Sequence, residues 1–200
     1  MAEGALLIAC GALARELVEI RKRNGWDFLK IQCLPADLHH RPAEIPAAVD
    51  EMIARQRDRF DHIYVAYGDC GTSGELDRVL EKHGVERIPG AHCFEFFPGK
   101  AVYDELADEE LGTFYLTDFL VRHFEHMVVR SLGLDRHPEL KELYFANYRR
   151  LVYLIQDENA DLSDRARAHA EYLGLDYEER QTGFEPVENI MKEQVVHWRS

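Results

Sequence analysis

The chain opens on a continuous apolar run, Ala5-Leu6-Leu7-Ile8-Ala9-Cys10, with none of the alternation of a half-exposed strand. That pattern predicts a parallel strand covered on both faces. After Cys10-Gly11 the period lengthens: Leu13, Leu17, Val18 and Ile20 recur at helical spacing among charged residues until Asn24-Gly25 stops the helix. Residues 28–33 read as a second strand. The prolines at Pro35 and Pro42 then predict an extended connection that carries His39 and His40. Helical spacing returns over 46–59, a third strand over 62–68, a helix over 75–83 ended by Gly84, and a fourth strand over 85–92.

Residues 101–148 change character and read as a mainly helical inserted layer. Residues 151–155 return to strand, 163–173 read as a helix with Ser163 as cap, and 175–180 as a last strand. Alternation of this kind predicts one α/β domain over 1–200, with a doubly wound, mainly parallel sheet and helices on both faces. Its parts are two similar βαβ units at about 5–40 and 62–97, the insertion, and a final βαβ at about 151–185. The similarity is visible in the residues: Cys10-Gly11 recurs as Cys70-Gly71, and Cys33 as Cys93, at one common offset.

Charge changes the picture by exclusion. A net charge of −13 argues against nucleic acid, whose affinity for proteins comes largely from Lys and Arg. The longest apolar run is too short to span a bilayer, and the N-terminus lacks a secretory pattern. No membrane partner and a cytoplasmic location are therefore expected. In a reducing compartment the four cysteines are not a disulfide framework, leaving packing, metal binding or redox chemistry.

In doubly wound sheets ligands bind outside the carboxyl ends of the strands, where these cysteines fall. Cys10, Cys70 and Cys93 are candidate ligands for zinc or an iron–sulfur cluster, with His92, beside Cys93, or the pair His39 and His40 completing the set. None of the spacings is CxxC, so the expectation rests on convergence in space. Cys33, inside an apolar strand, reads as a packing residue.

Tyr67-Gly68-Asp69-Cys70-Gly71-Thr72-Ser73-Gly74 is the densest stretch, and its backbone N–H groups suit an anion or a cluster sulfide. Tyr67, Gly68 and Gly71 are accordingly candidate cofactor-binding residues. The stretch is neither a P-loop nor a dinucleotide fingerprint. An enzymatic alternative has Cys70, activated at a helix N-terminus, as nucleophile, His39, His40 or His92 as base, and Asp69 or Glu95 orienting the base. The carboxylates from Asp104 to Glu110 read as a solvated helix face.

Ala9-Cys10-Gly11, Leu34-Pro35-Ala36-Asp37-Leu38-His39, Tyr67-Gly68-Asp69-Cys70-Gly71, His92-Cys93 and 112–118 stand in an order that resembles the DUF1638 family, over roughly residues 5–185. The resemblance implies emphasis on Cys10, Cys70, Cys93 and His39. It also implies a setting beside corrinoid-dependent methyltransferases, with a corrinoid protein or a methyltransferase as partner, and no assigned reaction. A non-catalytic module that docks on a methyltransferase is a third expectation.

Overall fold

A computed structural model describes residues 4–199. In chain order the strands and helices are β1 (Ala5–Cys10), α1 (Ala14–Arg23), β2 (Leu29–Leu34), α2 (Ile45–Gln56), β3 (His62–Ala66), α3 (Glu75–His83) and β4 (Glu86–Arg87). There follow α4 (Gly99–Glu109), β5 (Thr113–Thr117), α5 (Asp118–Arg122), α6 (Leu140–Phe145), β6 (Arg150–Ile155), α7 (Ala160–Leu173), β7 (Asp176–Gln181) and α8 (Glu185–Arg199). The chain divides into two compact units, one of Met1–Phe96 with Val187–Ser200 and the other of Phe97–Pro186.

The first unit holds a parallel sheet in the order β2-β1-β3-β4. Every residue of β1 is buried, as its unbroken apolar run requires of a central strand. It pairs with β2 up to Cys10 opposite Leu34, and with β3 up to Ala9 opposite Ala66. Helix α1 buries Leu17 and Ile20, α2 buries Ile45, Val49 and Ile53, and α3 buries Leu76 and Leu80. Each such side chain contributes about 1.5–3 kcal/mol through the water it sheds. From β1 the chain crosses to β2 on one side, and β3 and β4 lie on the other. The switch point, where ligands of such sheets bind, is therefore between β1 and β3.

The second unit holds β5-β6-β7, again parallel, with β6 buried along its whole length. Its core joins Leu116, Phe124, Leu151, Tyr153 and Ala166. The doubly wound α/β reading is thus the architecture observed, in two mainly parallel sheets.

Local differences from the sequence reading have physical reasons. The connection expected to be extended coils instead into two 3-10 turns, Ala36–His40 and Pro42–Glu44. Proline opposes a helix interior but suits a first position, where no N–H is needed, and Pro42 stands there. The fourth strand shrinks to two residues, because Pro89 and Gly90, at φ +153°, leave the ladder. The segment read as helical insertion contains β5, whose Thr-Phe-Tyr-Leu-Thr alternates too briefly to register. Helix α7 begins at Ala160, with the Asn159 side chain accepting from the Asp161 N–H at 3.0 Å, so Ser163 lies inside it. No helix among the described residues is long and apolar enough to cross a membrane.

Candidate functional site

Three sulfurs of the first unit meet beyond the carboxyl ends of its strands. Cys10 ends β1 and is 6% exposed; Cys70 follows β3 and is 7% exposed. The Cys70 and Cys93 Sγ atoms lie 3.3 Å apart. Cys93 also hydrogen-bonds Cys10, so the three thiols form one connected set with Cys93 in the middle. An imidazole joins them: His39, carried by the first 3-10 turn after β2, hydrogen-bonds Cys70.

The backbone holds these groups in place. Cys70 adopts φ +48°, a left-handed conformation that is uncommon for any residue but glycine, and Gly71 follows at φ +85°. The two together turn the chain sharply. Asp69 N–H and Cys70 N–H donate to the Gly90 and Ala91 carbonyls at 2.9 and 2.7 Å, tying the turn to the loop that carries Cys93. Gly68 makes that approach possible, since a Cβ there would stand 2.7 Å from the His92 carbonyl carbon. Its N–H donates to Cys93 Sγ at 3.4 Å.

Two charged residues brace the same loop, and neither was assigned this part from the sequence. Arg87 pairs with Asp77 through Nε and Nη2 at 2.6 and 3.0 Å, while its Nη1 donates to the Ile88 and Gly90 carbonyls at 3.0 and 3.2 Å. Glu95, buried, accepts from Ala91 N–H and His92 N–H at 3.0 and 2.9 Å. Its carboxylate folds the Cys93 loop and does not orient a base. Asp69 has the corresponding task in the other loop. It accepts from Thr72 Oγ1, Ser73 N–H and Gly74 N–H at 2.8, 3.1 and 2.9 Å, and these bonds hold its carboxyl below the usual carboxylate range. Within the stretch expected to present amides to an anion, those of Ser73 and Gly74 are filled by this side chain.

Electrostatics separates the three thiols. The hydrogen bond from Cys93, followed by that from His39, lowers Cys70 to about 5 against the opposing effect of burial. Cys10 is lowered as well, by Cys93 first and by the Ala12 N–H. Cys93, which hydrogen-bonds both and lies beside their charge, is pushed far up. The bond to Cys70 raises His39. The Cys70 thiol is lowered by its neighbours Cys93 and His39.

His92, read as a ligand, turns its ring onto Phe94, the two stacked at 4.9 Å with an 8° tilt, and its Nδ1 is buried without a hydrogen bond. The histidine that reaches a thiol is His39. Cys33, read as a packing residue, is exposed on the edge strand β2. As the side chains stand, no group of three or more His, Cys, Asp or Glu among the described residues is arranged around a metal position.

These features define a parallel α/β protein with a thiol cluster at the switch point of its first sheet. A family model described as "Protein of unknown function (DUF1638)" matches residues 33–191, and the chain belongs to that family. The matched stretch includes His39, Tyr67, Cys70 and Cys93, while Cys10 precedes it. No curated protein and no solved structure matches the chain.

Proposed function

We propose that the cluster is a metal centre, zinc or iron–sulfur, with Cys10, Cys70 and Cys93 as thiolate ligands and His39 as fourth ligand or proton carrier. The observation that carries this reading is the gathering of three sulfurs and one imidazole from four strand exits into a single hydrogen-bonded set. A nucleophile needs one sulfur, whereas neighbouring buried thiolates repel one another unless a cation offsets their charge. Tetrahedral zinc at ordinary zinc–sulfur lengths sets ligand sulfurs about 3.8 Å apart. Cys70 and Cys93, at 3.3 Å, need to part by roughly half an ångström to take it.

In the corrinoid-linked setting implied for the family, Cys10, Cys70, Cys93 and His39 would hold the group, and bound zinc would supply sulfur activation for methyl transfer or an iron–sulfur centre an electron. This chain's residues then supply the thiolates, a proton at His39 and a shielded floor. The test is elemental analysis with a visible spectrum of protein purified without oxygen. Near-stoichiometric zinc or iron is expected, with loss of at least half of it in each of Cys10→Ala, Cys70→Ala and Cys93→Ala. Full retention in all three variants sinks the reading.

A second reading is favoured by one specific contact, the His39 to Cys70 hydrogen bond beside a thiol lowered to about 5. It makes Cys70 the nucleophile of a metal-free hydrolase or transferase, with His39 as base. Metal-free protein whose Cys70 alone is rapidly alkylated supports it. Metal-free protein without a reactive thiol leaves the docking module.

A further inference from the structure

The hydroxyl of Tyr67, like His92 Nδ1, is a polar group that the site leaves unexplained. Tyr67 follows β3, is 2% exposed, and its hydroxyl is buried without a complete hydrogen bond. Such an orphan is destabilising, and a phenylalanine would fill the same space without it. What lies within its reach is Cys10. The next residue, Gly68, already donates its N–H to Cys93. The Tyr67 carbonyl is in contact with Arg87 Nη1 at 3.5 Å, so the dipeptide is anchored from its other side.

We propose that Tyr67 is a positioning residue whose hydroxyl donates to Cys10 Sγ when that sulfur is a metal-bound thiolate, so that Tyr67 and Gly68 clamp two of the three sulfurs. The inference rests on the metal reading above. Its chemistry is general. Donors in the outer shell draw charge off a ligand sulfur and fix its direction, and their removal typically costs 10–100-fold in metal affinity.

The experiment compares wild type and Tyr67→Phe, both loaded with zinc and then with cobalt(II). Dissociation is followed with a competing chelator, and the sulfur-to-metal charge-transfer band is recorded. Unchanged stoichiometry, release of zinc about tenfold faster or more, and a displaced band are expected. A merely structural orphan predicts the opposite pair, a raised Tm with unchanged release and an unmoved band, and that result overturns the proposal. Where Tyr67→Phe fails to fold, Tyr67→Met, which fills the space without a donor, is read the same way. Wild type that binds neither metal fails the metal reading itself, a result separable from a tyrosine without effect.

Discussion

The two sheets end differently. At the carboxyl ends of β5 and β6 stands a buried carboxylate, Asp118, with every neighbour satisfied. It accepts from Tyr153 Oη at 2.7 Å and from Gln156 N–H at 3.2 Å, and its own N–H donates to Gln156 Oε1 at 2.7 Å. At the corresponding ends of β1 and β3 stand thiols of unequal acidity and a tyrosine hydroxyl without a full partner. Both places are polar. One is a closed network that locks strands together, and the other holds capacity in reserve. Unsatisfied, mutually charged groups in a native interior call for a role besides stability, and satisfied ones do not.

The contrast can be broken at several points. Replacing Asp118 with alanine leaves the Tyr153 hydroxyl and the Gln156 amide unpaired, so a loss of about 2–4 kcal/mol in urea unfolding is expected, with thiol reactivity unchanged in the folded fraction. A smaller loss, near 1–3 kcal/mol, is expected for Gly68→Ala, whose new methyl group must push the Cys93 loop away. Its sharper mark is metal content, expected to fall by at least half; an intact site would show that the close approach is dispensable.

In metal-free protein the alkylation rate of Cys70 should be half-maximal near pH 5, since the rate follows the thiolate and the thiol titrates at about 5. In His39→Ala one of the two lowering side-chain bonds is gone and the midpoint should move upward. A midpoint above pH 8 in wild type would mark an ordinary thiol. Smallest of all, Cys33→Ser at its exposed position should change stability by less than about 0.5 kcal/mol and leave metal content as it was.

Much of the architecture was legible because burial writes it into the chain. The run Ala5 to Cys10 and the run Leu151 to Ile155 are apolar for the reason they are central, and Gly84 stops α3 at φ +62° as a helix-ending glycine should. The three sulfurs were legible from their places at strand ends. The choice between His39 and His92 was not, since it depends on a 3-10 turn that tolerates its prolines and on a ring that turns toward Phe94. Nor were the bracing parts of Arg87 and Glu95, because a carboxylate that folds a loop and one that faces water have the same neighbours in sequence.

The way the sulfurs are hung also says when the site comes into being. Cys10 and Cys93 arrive from opposite ends of the first unit, and β1, β3 and the Cys93 loop must all be in register before the three meet. Contacts so distant along the chain carry the loop-closure entropy of everything between them and form late in folding. A peptide cut around any one cysteine therefore cannot bind as a zinc finger does, and an ion captured here is a seal placed on a finished sheet.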